Sequence, residues 1–199
     1  MTDVWDTPTP GRRGRPPLSD AQRDRQRLEI SRHAVALFRV QGLAATSGAQ
    51  IAHAAGVSER TVWRLFRSKE ACVEPLLRSA LEEFQEVLRA WPADRGLVEH
   101  LRAEYRGTGP EREDVLAVVR MTREERALRA VWLLLQESAE ATLTEVFARR
   151  LGLAEDSLEA RTRAAVVNAA LRIATDDLAD SGARESGLAE VLRLAAGPY

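Results

Sequence analysis

The sequence predicts an all-α protein, because three observations point the same way. Apolar residues recur at helical spacing through most of the 199 residues. Ala, Leu, Arg and Glu are abundant and aromatic residues make up only 5% of the chain, which suits helices packed on helices. No stretch alternates apolar and polar residues as a half-buried strand would, and no internal repeat is visible. A chain of this length can bury a sizeable core in one or two domains.

Charge is distributed unevenly along a chain whose formal net charge is only −1. Residues 1–68 hold 11 Arg and 6 acidic residues, a balance of +5 that leaves −6 on the remainder. Such an asymmetry indicates an anionic polymer as the partner of the first part of the chain.

The first 18 residues are rich in Pro, Gly and Arg and show no periodicity, so we expect no fixed structure in the unbound arm. Within this arm, Arg13, Gly14, Arg15 and Pro16 resemble the core of an AT-hook, although Arg12 stands where that motif has Pro. Gly14 allows close approach to a narrow A·T-rich minor groove, and the two arginines suit its negative potential. The sequence leaves open whether they bind the groove or form a solvated basic tail.

A capping box formed by Ser19 and Gln22 predicts a first helix that runs to about Gln41 and ends at Gly42. Its buried stripe consists of Ile30, Ala34, Leu37 and Phe38.

Two short helices joined by a tight turn are predicted next. Ser47 and Gln50 form a second capping box, and Gly56 suits the left-handed end of that helix. Ser58 is a good N-cap for the following helix, which runs from Glu59 to about Phe66. The residues left outward or at the edge of this helix are Arg60, Thr61, Trp63, Arg64 and Arg67. Helix, glycine-containing turn and basic helix form the helix-turn-helix pattern, whose second helix enters the DNA major groove. The alternative is a pair of surface helices whose arginines are merely solvated.

The same stretch resembles the N-terminal domain of the TetR family of transcriptional repressors over about forty residues. The matching positions are Ile30, Ala34, Leu37, Phe38, Gly42, Thr46, Ser47, Ile51, Ala52, Ala55, Gly56, Val57, Ser58, Thr61, Val62, Trp63, Phe66, Ser68, Lys69 and Glu70. The rest of the chain is similar to that family only in length and helical texture. We therefore predict a flexible basic arm (1–18), a helix-turn-helix domain (19–68) and a helical effector-binding and dimerisation domain (69–199).

The resemblance implies a set of DNA contacts. With the two arginines of the arm, the implied residues are Arg13, Arg15, Thr46, Ser47, Ser58, Glu59, Arg60, Thr61, Trp63, Arg64 and Lys69. Thr46, Ser47 and Lys69 would bind phosphate from helix N-termini. Arg60 would pair with a guanine, which is worth about 1–3 kcal/mol of discrimination. Trp63 stands where the family usually has Tyr, so its indole N–H would reach phosphate from a different place.

The remaining helices are predicted from caps and apolar stripes. Ser68 caps a helix over 69–90, in which Pro75 predicts a kink or a broken first turn that serves as a hinge or merely bends the helix. A capping box at Thr122 predicts the start of a long helix that ends at Gly152. Further helices are expected over about 97–105, from Pro110, from about 156 to 179 and over 188–195.

The resemblance also implies an effector pocket and a homodimer, neither marked by a fixed motif. The pocket candidates are Trp91, His100, Tyr105, Met121, Trp132 and Gln136, although such residues at helical spacing also suit an ordinary core. The last long helix is apolar most of the way round, so a second copy or central burial within one copy would cover its second face. The residues predicted at this dimer interface are Ala165, Val166, Ala169, Ala170 and Ile173.

Other functional classes find little support. The apolar neighbours of Cys72 favour a small buried residue over a redox sensor. The three His and one Cys are too scattered for a metal or nucleophile signature, and Asp176 and Asp177 face different sides of a helix, so we expect no enzyme, cofactor or metal. No apolar run spans a bilayer and no signal peptide is visible, so a cytoplasmic protein is expected.

The function predicted is a homodimeric repressor that a small molecule releases from a palindromic operator. An activator of the same build and a helical adaptor without DNA binding are the alternatives.

Overall fold

The computed structural model describes residues 19–105, 111–181 and 190. These residues form helices and no strand, as the sequence predicts. The helices are α1 Asp20–Gln41, α2 Gly48–Ala54, α3 Glu59–Leu65, a 3₁₀ helix Glu70–Val73, α4 Glu74–Arg89, α5 Leu97–Glu104, α6 Arg112–Met121, α7 Arg126–Leu151 and α8 Leu158–Ser181. The predicted basic arm with Arg13 and Arg15, and most of the predicted last helix, lie outside the described residues.

The first three helices, which we call the head (residues 19–68), begin at the serines that the sequence singles out. The Ser19 hydroxyl accepts a hydrogen bond from the Gln22 N–H at 3.3 Å, and the Gln22 side chain accepts from the Ser19 N–H. Ser47 and Gln50 form the same reciprocal pair. Each box satisfies two N–H groups that a helix start would otherwise leave unpaired.

The body (residues 69–181) begins with the interruption predicted at Pro75. A 3₁₀ helix covers the first turn, where the Ser68 hydroxyl accepts from the Ala71 N–H at 3.2 Å. Regular α-helix starts only at α4, with Pro75 in its first turn, where a missing N–H costs nothing. The next N–H, that of Leu76, donates to the buried Ser31 hydroxyl of α1 at 3.2 Å. The head therefore supplies the cap that α4 lacks locally.

The capping box predicted at Thr122 is wrong. Its hydroxyl donates to the Val119 carbonyl at 2.7 Å and its N–H points back to α6, so it ends that helix. The long helix α7 instead starts at Arg126, after Glu125, without a side-chain cap. A hydroxyl at a helix end can satisfy a carbonyl of the preceding turn as readily as an N–H of the next, and here the carbonyl prevails.

Two apolar clusters form the core. The larger cluster joins Ile30 and Phe38 of α1 to Leu76 and Leu77 of α4 and to Leu128 of α7, so the head and the body share it. The smaller cluster lies within the body; its buried members are Leu88, Leu101, Leu143, Val146, Ala164, Val167, Ala170 and Leu171. The boundary expected at residue 68 thus runs through continuous packing.

Ion pairs reinforce the contact between the head and the body. Three arginines of α1 each meet a carboxylate of the body. The pairs are Arg27 with Glu74 at 3.7 Å, Arg32 with Glu111, and Arg39 with Asp114. Two of these three carboxylates lie at or within the first turns of α6. Within the residues described, no helix is both long and apolar enough to cross a membrane.

Candidate nucleic-acid interface and effector cavity

The turn between α2 and α3 fixes the angle at which α3 leaves the head. Gly56 takes the left-handed conformation (φ 64°), which L side chains rarely adopt. The Gly56 N–H donates to the His53 carbonyl and the Val57 N–H to the Ala52 carbonyl, which is the Schellman pattern of helix ends. Ile51 and Ala52 are the buried apolar side chains of α2, whereas Ala54 is exposed.

Helix α3 divides into an inner and an outer face, as the sequence predicts. Val62 is fully buried and Phe66, which follows the helix, is 3% exposed, so both anchor it to the larger core cluster. Arg60, Arg64 and Arg67 are exposed and form no ion pair within the described part of the chain. Unpaired guanidinium groups on a projecting helix suit phosphates and base edges.

Trp63 lies against the start of α2. A Cβ added at Gly48 would stand 2.0 Å from the Trp63 ring, so only glycine leaves room for the indole there. The Trp63 N–H donates to the Glu59 carboxylate at 3.1 Å, which makes that N–H unavailable to phosphate in this arrangement. The indole, 43% exposed, instead presents carbon atoms at the edge of the basic face.

Two residues expected to bind phosphate are used inside the protein. Thr46 is 2% exposed, and its hydroxyl donates to the Gly42 carbonyl at 2.8 Å. The Lys69 ammonium donates to the carbonyls of Leu43 at 2.7 Å and Thr46 at 3.0 Å. In this arrangement both groups hold the loop between α1 and α2, and phosphate binding by Thr46 and Lys69 stays a prediction.

The serines of the head remain near the expected surface. Ser47 is exposed at the start of α2, where its hydroxyl caps the helix. The Ser58 hydroxyl accepts from the Thr61 N–H at 3.2 Å and also bonds the Thr61 hydroxyl at 2.9 Å. Ser58 and Thr61 thus order the first turn of α3.

A cavity of about 210 Å³ lies within the body, between helices α4 to α8. Most of its lining is apolar. The polar and charged lining residues are Arg102, Tyr105, Arg112, Gln136, Asn168 and Thr175, together with the indole of Trp132. The sequence analysis missed Asn168, although a lone amide within an almost unbroken apolar run of α8 was a usable signal.

Three of the six pocket candidates line this cavity and three do not. Tyr105, Trp132 and Gln136 are part of its wall. Trp91 lies outside the cavity. The Arg150 guanidinium stacks on the Trp91 ring, with its Cζ 3.7 Å from the ring centroid, and the Trp91 N–H donates to the Arg95 carbonyl at 2.7 Å. The two other misplaced candidates, His100 and Met121, pack into the protein: His100 is 2% exposed with Nε2 against the Val87 carbonyl, and Met121 packs on the larger cluster.

The expected dimer face is only partly accessible. Val166 and Ile173 are 43% and 45% exposed, and Ala169 is exposed beside them. Ala165 is half-buried. Ala170 is 5% exposed and packs in the smaller cluster of its own body, so its assignment to the interface is wrong. Helix rotation of about 100° per residue separates it from Ala169.

Cys72 is a buried thiol. Burial, helped by the charge of Glu70, raises its pKa from 9.0 to about 12. The reactive form of cysteine is the thiolate, so this residue is inert in the folded protein. No cluster of three or more His, Cys, Asp or Glu suited to a metal ion occurs within the described ranges.

The fold and the basic helix together define a helix-turn-helix transcriptional regulator. Residues 30–76 match the family model of bacterial regulatory proteins of the TetR family. The chain is 29% identical over 185 residues to the HTH-type transcriptional regulator TcmR of Streptomyces glaucescens, covering 86% of this chain and 82% of that protein. Residues 30–76 therefore carry a DNA-binding region of the TetR type, the chain is similar to transcriptional regulators of that family, and it is a DNA-binding regulator.

Solved structures of other regulators share the fold. Salmonella enterica GusR superposes with a TM-score of 0.59 at 19% identity, covering 90% of this chain and 97% of that chain. Thermus thermophilus FadR, a repressor solved in complex with lauroyl-CoA, gives 0.58 at 25% identity and covers 85% and 93%.

Proposed function

We propose that this chain is a homodimeric repressor that binds a palindromic operator and is released from it by a small molecule. The proposal keeps the division into a basic arm (1–18), a DNA-binding domain (19–68) and an effector and dimerisation domain (69–199). The observation that carries it is the coexistence, on one continuous core, of an outward basic helix and an internal cavity.

Helix α3 is the proposed reading element. Its exposed arginines carry no partner within the described residues, so they can meet phosphate or bases at no internal cost. The residues proposed to contact DNA are Ser47, Ser58, Glu59, Arg60, Thr61, Trp63 and Arg64, with Arg13 and Arg15 of the arm in the minor groove. Among them, Arg60 is proposed to pair bidentately with a guanine.

Helices α7 and α8 are proposed to form the dimer interface. They pack closely on each other and carry apolar side chains that their own body does not cover. Leu134 of α7 is 67% exposed, and Val166 and Ile173 of α8 are each more than two-fifths exposed. A two-fold axis through this face would bury them in a four-helix interface and set two α3 helices roughly 34–36 Å apart, one turn of DNA.

Helix α6 is the proposed route from the cavity to the head. Arg112, Val115 and Leu116 line the cavity. On the same helix, Asp114 pairs with Arg39 of α1, and Glu111, just before it, pairs with Arg32. A ligand that moves α6 would therefore strain or release ion pairs of α1, and differential affinity for the two arrangements would shift DNA binding. The lauroyl-CoA complex of FadR supports ligand binding in a body of this fold.

Selection of bound duplexes from a random DNA pool at near-physiological salt tests whether the protein recognises a specific DNA sequence. We expect the full chain to recover an inverted repeat, and the double variant Arg13→Ala/Arg15→Ala to recover the same repeat without flanking A·T preference. Recovery of no sequence by the intact protein, with no salt-dependent DNA binding, would contradict the proposal and favour the helical adaptor.

In vitro transcription from the selected site decides between the two kinds of regulator. A repressor lowers transcription when it is added, whereas an activator of the same build raises it.

A further inference from the structure

We infer that the effector of this cavity is an apolar acid: a compact hydrocarbon or aromatic body that carries a carboxylate and accepts a hydrogen bond from Trp132. The inference rests on the proposed function, because it names the class of ligand that this body would sense.

The dimensions and lining of the cavity suit a small apolar molecule. Its volume of about 210 Å³ exceeds the engineered apolar cavity of about 150 Å³ that binds benzene. The apolar part of the wall comes from five helices: Leu77, Ala80, Leu81, Phe84, Val98, Leu101, Val115, Leu116, Leu135, Ala139, Leu171, Ala174 and Leu178. Such a wall gains free energy from any hydrocarbon that displaces water from it.

One hydrogen-bond donor in the wall has no acceptor. Trp132 is 7% exposed, and its Nε1 is buried without a partner within the described residues. Two other polar lining groups donate within the protein: the Asn168 amide to the Gln136 backbone carbonyl at 2.9 Å and the Thr175 hydroxyl to the Leu171 carbonyl at 2.8 Å. A buried N–H of this kind costs free energy until an acceptor reaches it.

The charge of the wall selects among apolar ligands that carry an acceptor. Among the described residues, Arg102 and Arg112 are the charged residues that line it, and none of the described lining residues is acidic. Arg112 already has a partner in the protein, so Arg102 is the cation available to a ligand. Arg102 and Tyr105 lie three residues apart at the end of α5, on the same side of the helix. Burial, and secondly the charge of Glu83, raises the pKa of Tyr105 to about 12, so its hydroxyl keeps its proton and can donate a hydrogen bond. These donors and the Arg102 guanidinium favour an anion over an ammonium group.

Isothermal titration calorimetry on the full-length protein at neutral pH tests the inference with three probes that share one phenylbutyl skeleton: phenylbutyrate, phenylbutanol and phenylbutylamine. We expect the carboxylate to bind at least ~tenfold tighter than the amine, with the alcohol between them, since hydrogen bonds to charged groups are the strong ones. Equal or tighter binding of the amine, or no heat from any probe at millimolar concentration, would overturn the inference.

Two variants separate charge from the indole donor. Arg102→Gln should bring the affinities of the acid and the amine to within a few-fold of each other, while Arg126→Gln, an exposed arginine outside the cavity, leaves them unchanged. Trp132→Phe, which keeps an aromatic ring and removes the N–H, should weaken the alcohol by ~three- to tenfold and the acid by ~tenfold or more, because hydrogen bonds to charged groups are the stronger ones. An unchanged acid affinity in Trp132→Phe would mean that water satisfies Nε1, and would remove Trp132 from the inference.

Release of the selected duplex distinguishes a wrong ligand class from a wrong function. If phenylbutyrate binds with the predicted preference but never lowers DNA affinity, the ligand class stands and ligand-controlled repression fails. If the amine is preferred and also releases DNA, the function stands and the ligand class fails.

Discussion

The head and the body of this protein acquire their shapes in different ways. In the head, α1, α2 and α3 each begin at a serine whose hydroxyl accepts an N–H three residues on. In the body, α4 to α7 begin without such a side-chain cap, whereas α8 has one, in which the Ser157 hydroxyl accepts from the Ala160 N–H at 3.2 Å. The head is therefore specified by contacts between residues close in sequence, whereas most of the body depends on packing between distant ones. This difference explains why the head carries a recognisable motif and the body does not.

The largest expected effect tests whether the two regions nevertheless unfold together. Phe38→Ala removes a side chain that is 1% exposed from the shared core and should lower the free energy of unfolding by about 3–5 kcal/mol. Hydrogen exchange read separately over α3 and α7 should show equal loss of protection. Val40→Ala, on the same helix but 87% exposed, should change stability by no more than about 0.5 kcal/mol. Loss of protection confined to the head would contradict the shared core.

The next effect concerns DNA binding, which is proposed for the head. Arg60→Ala should weaken binding to the selected operator by about 1–3 kcal/mol and relax preference at one base pair if its guanidinium pairs with a base edge, as proposed. Competition binding against single-base variants of the operator measures both. Arg126→Ala, exposed on α7, should bind as the unaltered protein does. An equal loss of affinity for every sequence would reduce Arg60 to a phosphate contact.

A smaller effect follows from the close approach of α2 and α3. Gly48→Ala puts a Cβ where the Trp63 ring lies, so the indole must move and its hydrogen bond to Glu59 breaks. We expect operator affinity to fall by about 1 kcal/mol, with coupling to Trp63 of similar size. In a double-mutant cycle, Gly48→Ala should add nothing once Trp63→Ala is present. Additive losses would show that the glycine matters for the backbone of α2 and not for the indole.

Single serine side chains test the same comparison between the head and the body. Ser47→Ala should destabilise the protein by about 1 kcal/mol, because the Gln50 N–H at the start of α2 loses the hydroxyl that accepts its hydrogen bond. Ser138→Ala on α7, where the hydroxyl only returns to the Leu135 carbonyl of its own helix, should change stability by less than about 0.5 kcal/mol. Urea unfolding followed by circular dichroism measures both variants. Equal effects would mean that local capping does not set the head apart.

The last effect is zero at neutral pH and appears only in alkali. The pKa of Cys72 rises from 9.0 and that of Tyr105 from 10.0, each to about 12, mainly through burial in the body. The unfolded chain ionises first, so the free energy of unfolding is unaffected below about pH 9 and falls as the pH rises toward 12. Urea midpoints measured across this range should decline less in Cys72→Ala/Tyr105→Phe. A decline of the same slope in that variant would assign it to other groups.

Local chemistry explains which predictions the sequence supports. The serine caps and the glycine turn involve residues within six positions of each other, so the bounds of α1, α2 and α3 were predictable. Thr122 was misread because a hydroxyl between two helices can serve either one, and packing decides. Ser31 and Lys69 make their main hydrogen bonds to residues 45 and 26 positions away, respectively. No periodicity encodes such partners.

The body shows the same limit at the cavity. Trp91, His100 and Met121 were plausible pocket residues by type, but the rotation of each helix in the bundle turns them elsewhere. Tyr105, Trp132 and Gln136 do line the cavity, although their spacing gives no sign of it. Which face of an all-round apolar helix meets a cavity, a neighbour or a second copy depends on the tertiary structure and not on the local sequence.

The shared core has a consequence for building chimeric regulators. A graft that joins residues 1–68 of this chain to the body of a relative would cut through the core cluster that Phe38 shares with Leu76 and Leu77. It would also separate the Ser31 hydroxyl from the Leu76 N–H that donates to it. A graft that carries α4 and the first turns of α6 with the head would keep these interactions. The unit that can be exchanged between relatives is therefore larger than the unit that reads DNA.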